Sequence, residues 1–226
     1  MKTKFLIMSF SLLALAGSSQ TLTGSFTNST VTVIPDGSPV GVLEQFTVSG
    51  MGISISNVSV TLDITGGFNG DLYAYLVNPQ GQLAVLLNRP GVTGSNPFGY
   101  GDAGMNITLD GLAANNIHDY ASGGPGSYSL SGTTWAADGR NVNPQIAGSI
   151  LYGTPTTANL SLFQNADANG IWTFFIADLG VGGGTASLNN VILSIMTVPE
   201  PQTRLMVVGG LAVLGLVRRR SQRLSR

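Results

Sequence analysis

The sequence predicts an all-β protein, built as an antiparallel, jelly-roll-like β-sandwich. Glycine accounts for 31 of the 226 residues and charged residues for only 9%, a composition typical of short strands joined by many turns. Between residues 20 and 198 no segment of useful length repeats its apolar residues at the helical period. The clear period is two, so the elements of this region are predicted to be strands that pack as two sheets.

An alternating segment, Val58–Ile64, gives the clearest strand. Its valine, leucine and isoleucine side chains share one face, and its serine, threonine and aspartate side chains share the other, as in a half-buried strand. Ile53 and Ile55 lie in the opposite phase. This change of phase predicts a bulge or turn near Ser56 and Asn57.

A hairpin is predicted at Pro79-Gln80-Gly81, because strand-like runs lie on both sides of this compact turn signal, at Asp71–Asn78 and Gln82–Asn88. Residues 111–159 carry few strong patterns, so long connections are expected there. The remaining predicted strands are Met105–Gly111, Asn169–Asp178 and Ser187–Met196.

The net charge of −1 hides an acidic middle. Between Gly17 and Val198 the chain has ten acidic residues and only two basic ones, Arg89 and Arg140, so this part carries a net charge of −8. Nucleic-acid binding is excluded, because neutralising phosphates requires clustered lysine and arginine. The acidic charge would serve solubility or attract divalent cations.

Residues 1–16 have the pattern of a secretory signal peptide. Lys2 and Lys4 form a basic start, Phe5–Leu15 is apolar, and Ala14–Ala16 offers a small-x-small cleavage site. The apolar stretch is short for the alternative, an uncleaved membrane anchor. Residues 17–30 are polar and are expected to be flexible. The chain has no cysteine, so an exported body would be stabilised by packing or ions rather than by disulfides.

Several linked motifs resemble the P domain (P/Homo B) of proprotein convertases and of many secreted bacterial proteins. They are Gly70-Asp71-Leu72 at the entry to a strand, the hairpin Pro79-Gln80-Gly81, and Gly170-Ile171-Trp172 in a strand that ends at Asp178. The resemblance covers roughly Val31–Met196 and implies a jelly roll of about eight strands. In convertases this domain accompanies and stabilises a protease domain, for which this sequence shows no counterpart.

No catalytic residue is assigned. His118 is the only histidine, and a Ser-His-Asp triad needs an imidazole base with a nucleophile and a carboxylate around it. Asp119 is merely its sequence neighbour, and the chain has no Gly-x-Ser-x-Gly elbow. We therefore expect His118 to form hydrogen bonds in a loop, and we expect the protein not to be an enzyme.

The C-terminal segment resembles the PEP-CTERM sorting signal of Gram-negative bacteria. Its motif consists of Val198, Pro199, Glu200 and Pro201. An apolar span follows at Leu205–Val217, and a basic cluster of Arg218, Arg219 and Arg220 closes it. As a short hydrophobic helix this span would extend about 20 Å, less than the roughly 30 Å of a bilayer core. The arginines would snorkel to the cytoplasmic surface and leave the body on the opposite side of the membrane.

The resemblance implies a temporary membrane attachment that is removed by processing. An exosortase, a membrane enzyme similar to cysteine transpeptidases, would cut near the motif in a bacterium that makes exopolysaccharide. The protein would contact the inner membrane transiently and then reside in the outer envelope or outside the cell. A plain C-terminal membrane anchor is the alternative. The predicted organisation is a signal peptide, a polar segment, a body of residues 31–197 and a sorting signal of residues 198–226.

Calcium is the one cofactor that the sequence suggests. Asn165–Gly170 has oxygen-bearing side chains at alternate positions, as in the first half of a calcium loop, but the twelfth position is Ile176 instead of glutamate. An Asx-type turn is the better interpretation of this stretch. Because some P domains carry calcium, four candidate ligands are retained, which are Asp71, Asp167, Asn169 and Asp178.

Six aromatic side chains are candidates for a sugar-stacking surface, since a ring offers an apolar face to a sugar. Two of them, Tyr73 and Tyr75, alternate with Leu72, Ala74 and Leu76, so one face of that strand is expected to be core. Packing in the core or an interface is the alternative for the whole group. The six are Tyr73, Tyr75, Tyr100, Tyr120, Tyr128 and Trp135.

Together these patterns predict an exported, non-catalytic protein with a structural or adhesive role in the envelope or in an exopolysaccharide matrix. The alternative is a carbohydrate- or calcium-binding accessory module. A hydrolase is poorly supported, because the chain has one histidine, no cysteine and no pair of carboxylates at a recognisable catalytic spacing.

Overall fold

A computed structural model describes residues 21–124, 128–146 and 153–198, and these residues form an all-β body. In chain order its strands are β1 (Leu22–Asn28), β2 (Thr32–Ile34), β3 (Ser38–Val48), β4 (Ile55–Thr65), β5 (Leu72–Val77), β6 (Leu83–Asn88), β7 (Met105–Asp110), β8 (Ser131–Trp135), β9 (Gly170–Asp178) and β10 (Ala186–Thr197). Within this part of the chain, no helix has the length and apolarity to span a membrane. The predicted signal peptide, Pro199–Pro201 and the hydrophobic segment before Arg218 lie outside the described residues.

The strands form two sheets. The larger has the order β1-β10-β4-β7-β8, with β2 also paired to β10, and the smaller has the order β3-β9-β5-β6. All pairings are antiparallel except that of β7 with β8, which is parallel. The predicted antiparallel two-sheet fold is therefore confirmed except at this one edge.

The core lies between the two sheets and contains side chains from both. On β4 the residues Val58, Val60, Leu62 and Ile64 are fully buried, as the period-two pattern predicts. From the smaller sheet, Trp172 of β9 enters the same core and packs edge-on against a phenylalanine ring 5.1 Å away. Burial of large apolar side chains is the main favourable term in folding, so these inward faces stabilise the sandwich.

Two local predictions are confirmed. Along β10 the partner of Met196 is Asn57 and the partner of Thr197 is Ile55, so Ser56 is the extra residue of a bulge. The hairpin between β5 and β6 closes through hydrogen bonds in which the Gly81 N–H donates to the carbonyl of Asn78. Gly81 has a φ of 80°, a value that glycine adopts without steric cost.

The prediction of a flexible segment over residues 17–30 is wrong for Leu22–Asn28, and residues 17–20 lie outside the described residues. Leu22–Asn28 forms β1, which pairs with β10 along seven residues, from Leu22 with Thr197 to Asn28 with Val191. The segment is polar because it covers an edge of the larger sheet, where most of its side chains remain exposed. Its order comes from the backbone groups of β10, which would otherwise have no partner along that edge.

Candidate functional site

A groove of about 520 Å³ runs over the outer face of the smaller sheet. Its floor, called here the aromatic floor, consists of the rings of Tyr73, Tyr75 and Phe175. One side, called here the amide wall, is the loop of residues 141–145. Pro39 and Leu179 complete the lining. The volume is within the range of about 300–1,000 Å³ that is typical of ligand sites.

Strand alternation builds the aromatic floor. On β5 the residues Leu72, Ala74 and Leu76 are buried in the core, so Tyr73 and Tyr75 must point outward. Phe175 is the cross-strand neighbour of Tyr75 on β9. The Tyr75 and Phe175 rings are nearly parallel, with centroids 4.9 Å apart, and the Tyr73 ring is 5.9 Å from that of Tyr75. All three side chains are half-buried, so part of each ring faces the solvent.

A glycine on β3 makes room for the floor. Gly41 has a φ of 57° and lies in an irregular stretch where the pairing of β3 with β9 shifts register. A Cβ at this position would lie 2.7 Å from the Phe175 ring and 2.3 Å from the carbonyl oxygen of Ile176. Both distances are below normal contact, so any other residue at position 41 would displace the Phe175 ring or the strand itself.

The amide wall is tied to β6 by buried polar groups. The Asp138 N–H donates to the carbonyl of Leu86 at 3.0 Å. The Asn88 side chain, which is fully buried, donates to the carbonyls of Arg140 and Val142 at 2.8 and 3.1 Å. Because these bonds fix the backbone at the start of the loop, the wall has a defined position beside the floor.

The groove offers polar groups but no charge. Asn141 and Gln145 are exposed on the wall, and no hydrogen bond within the described part of the chain engages their side-chain amides. Asn143 accepts a hydrogen bond from the Gln145 N–H at 3.0 Å. Burial, and to a smaller degree the neighbouring Tyr75, raises the pKa of Tyr73, so its hydroxyl remains a hydrogen-bond donor at neutral pH.

The other four aromatic candidates pack together around Asp102, away from the groove. The ring of Tyr120 is buried and lies 4.6, 4.9 and 6.5 Å from the rings of Tyr100, Tyr128 and Trp135. The hydroxyls of Tyr120 and Tyr128 donate to the Asp102 carboxylate at 3.0 and 2.7 Å. This arrangement fits the packing role that was the alternative at these positions.

Two of the four candidate metal ligands lie close together. Asp178 ends β9, its cross-strand partner is Leu72, and Asp71 directly precedes Leu72. A Cβ on Gly180 would come within 2.2 Å of the Asp71 carboxylate, so this carboxylate lies against the turn that follows β9. Arg89 approaches the Asp71 carboxylate at 3.6 Å.

Asp178 is the most unusual acid of the body. It is fully buried, and neither carboxylate oxygen has a hydrogen-bond partner of good geometry among the described residues. Burial, followed by the negative charges of Asp71 and Asp36, raises its pKa to about 6, and the Gly180 N–H opposes this effect. Burial also raises the pKa of Asp71, although Arg89 lowers it in part. A cation at this position would relieve the cost of burying a carboxylate.

The other two candidates are far from this pair. Asp167 and Asn169 precede the first residue of β9, whereas Asp178 is its last, and a strand of nine residues is about 30 Å long. The Asn169 N–H donates to the Asp167 carboxylate at 2.9 Å, so the predicted Asx turn is present. Among the residues that the structure covers, no three histidine or acidic side chains form a group that could hold a metal ion.

His118 is held on both sides in the protein interior. Its Nδ1 lies 2.7 Å from the Asp138 carboxylate and its Nε2 lies 2.9 Å from the carbonyl oxygen of Val92. A carbonyl oxygen can only accept, so Nε2 donates, and the carboxylate is the natural acceptor for a proton on Nδ1. Arg140 binds the second carboxylate oxygen at 3.0 Å. With both ring nitrogens engaged and the residue buried, the geometry gives His118 a structural role.

Comparisons with known proteins supply no family. No family model matches the chain, and no curated protein matches it. Among solved structures it is similar to a serine protease of Aeromonas sobria, crystallised alone and in complex with the chaperone ORF2. In both cases the sequence identity is 11%, the TM-score is 0.44, and 79% of this chain is covered. The chain spans about a quarter of that protein's length, 27%.

Proposed function

We propose that the protein is an exported, non-catalytic component of the bacterial envelope or extracellular matrix, with a structural or adhesive role. The observation that carries this proposal is the C-terminal order of motif, apolar span and arginine cluster, which resembles a PEP-CTERM signal. The N-terminal pattern of a signal peptide supports export. An exosortase and an exopolysaccharide are the partners that this resemblance implies.

The junction between the body and the motif is compatible with processing. β10 ends at Thr197, and the N–H of Val198 donates to the carbonyl of Ser54 at 2.9 Å. Every described strand therefore precedes the Pro199-Glu200-Pro201 stretch. A cut near the motif would leave the pairings of both sheets unbroken, which supports the proposal that the tail serves delivery alone.

Intact-mass measurement of the protein recovered from the cell surface tests this proposal. We expect a mass that lacks the signal peptide and the residues after the motif. Replacing Arg218, Arg219 and Arg220 with glutamine is expected to reduce processing, since the cluster sets the orientation of the apolar span. A surface protein whose mass still includes Arg226 would reject processing and favour a plain anchor.

Calcium binding is a second candidate function, favoured by the unpartnered carboxylate of Asp178. The donor set fits in its chemistry, since Asp71 and Asp178 supply carboxylate oxygens and calcium accepts backbone carbonyls and water as further ligands. The pair would hold the ion, and the ion would fix the start of β5 to the end of β9. Arg89 would compete for Asp71, because it approaches the same carboxylate.

Thermal unfolding with EGTA and with excess calcium tests this candidate. In EGTA the folded protein holds the Asp178 proton more tightly than the unfolded chain does, because its pKa is raised to about 6. Stability is therefore expected to fall as the pH rises from about 4 to about 6, by at most about 3 kcal/mol. Calcium is expected to raise the melting temperature at neutral pH, since it binds the charged form.

Two variants separate the carboxylate pair from general charge effects. Asp178→Asn is expected to remove the response to calcium and to reduce the pH slope to the part that the raised pKa of Asp71 contributes. Asp63→Asn, a change on the outer face of β4, removes the same charge elsewhere and is expected to retain both. An equal melting temperature in EGTA and in calcium for the unaltered protein would eliminate the candidate.

A further inference from the structure

We propose that the groove on the smaller sheet binds a neutral polysaccharide chain, with sugar rings packed on the aromatic floor and sugar hydroxyls bound by the amide wall. This inference deepens the proposed function and rests on it for the source of the ligand, a secreted polysaccharide.

The aromatic floor has the form that sugar rings require. A pyranose ring exposes C–H groups on its faces, and these pack on aromatic rings. Tyr75 and Phe175 lie nearly parallel on adjacent strands, and Tyr73 extends the same surface along β5. The three rings point away from the core, which on β5 is formed by the alternate residues Leu72, Ala74 and Leu76.

The amide wall supplies the complementary hydrogen bonds. An amide side chain offers a carbonyl acceptor and two N–H donors, which suits neighbouring hydroxyl groups on a sugar. Asn141 and Gln145 carry such groups beside the floor, and Asn88 fixes the backbone of the same loop from below. The wall is thus positioned before a ligand arrives, which lowers the entropic cost of binding.

The charge of the groove selects a neutral ligand. None of its lining residues is charged, and the surrounding body is acidic, with a net charge of −8 between Gly17 and Val198. An anionic polymer such as an alginate or a nucleic acid would be repelled by the body and would find no cation in the groove. A neutral glycan has neither disadvantage.

Binding is tested with the purified full chain in mild detergent. A glycan array that carries neutral glucan, mannan and galactan oligosaccharides beside acidic alginate and hyaluronan oligosaccharides identifies the class. The strongest neutral binder is then titrated by calorimetry. We expect Tyr75→Ala and Phe175→Ala each to weaken binding by about tenfold. Gln145→Ala, a change on an exposed loop, is expected to weaken it severalfold without affecting folding.

Matched controls make each outcome decisive. Ile171→Ala removes an exposed apolar side chain from the same face of β9, outside the groove, and should leave binding unchanged. Tyr75→Phe keeps the ring and should retain most of the affinity. Preference for acidic oligosaccharides or absence of binding to every neutral one would overturn the proposal. So would binding by Tyr75→Ala and Gln145→Ala that is as tight as that of the unaltered protein.

A second copy of the chain is the other occupant that the test detects. A dimer in sedimentation velocity that Tyr75→Ala dissociates would assign the floor to self-association and reject the glycan. The result of the glycan-binding experiment is independent of the intact-mass measurement that tests processing of the tail. Loss of glycan binding would leave tail processing unaffected, and an unprocessed tail would leave binding by the groove unaffected.

Discussion

Trp172→Ala is expected to destabilise the body by about 3–5 kcal/mol. The indole is fully buried, packs against the Phe163 ring and donates from Nε1 to the carbonyl of Ala168 at 2.8 Å. Removing it creates a large cavity and leaves that carbonyl without its donor. Such a loss is a large share of the usual stability of about 5–15 kcal/mol. Urea unfolding, followed by circular dichroism, measures the difference.

The neighbouring residue provides the control for this measurement. Ile171 is also a large apolar residue of β9, but 54% of it is exposed. Ile171→Ala is therefore expected to change the free energy of unfolding by less than about 1 kcal/mol. Similar losses in the two variants would mean that the inward and outward faces of β9 are wrongly assigned.

Asp138→Ala is expected to lower the free energy of unfolding by about 3–5 kcal/mol, because it removes the acceptor that His118, Arg140 and the Asn88 N–H share. The carboxylate binds His118 on one oxygen and Arg140 on the other. It also accepts from the Asn88 N–H at 3.2 Å. Without it, charged and polar groups remain in the interior without a partner, and the loop that carries the amide wall loses its anchor.

Asp119→Ala is the matched control for that network. Asp119 also faces Arg140, at 3.9 Å, but its side chain is 55% exposed, so the loss should stay below about 1 kcal/mol. Asp138→Asn keeps one acceptor oxygen, so its loss of stability should lie between those of Asp138→Ala and Asp119→Ala. If Asp138→Ala were no more destabilising than Asp119→Ala, the buried network would not stabilise the fold.

The strands that could be predicted from the sequence are those whose own residues alternate between apolar and polar or flank a clear turn. Val58–Ile64 alternates strictly, and the Pro79–Gly81 turn stands between two apolar runs, so β4 and the hairpin of β5 and β6 could be predicted locally. β1 could not, because its order depends on the distant backbone of β10. The parallel pairing of β8 with β7 likewise depends on long-range contacts. The polar sequence Ser131–Trp135 has no local pattern that predicts this pairing.

At the candidate sites, too, local sequence predicted some features, whereas others depend on contacts between distant parts of the chain. Alternation placed Tyr73 and Tyr75 on one face, but it could not show that Phe175 lies beside them or that residues 141–145 form a wall. The proximity of Asp71 and Asp178 follows from strand pairing, whereas Asp167 and Asn169 lie at the opposite end of β9. The carboxylate beside His118 belongs to Asp138, twenty residues away, instead of its neighbour Asp119.

The position of β10 has a consequence for biogenesis. This strand is paired with β1 and β2 on one side and with β4 on the other, yet it follows all three in the chain. Until β10 has been synthesised as far as Thr197, the edges of β1, β2 and β4 that pair with it have no partner. A chain that stops before Ala186 lacks the strand that joins β1 and β2 to β4, so it is expected to leave the larger sheet divided and not to form a smaller stable protein.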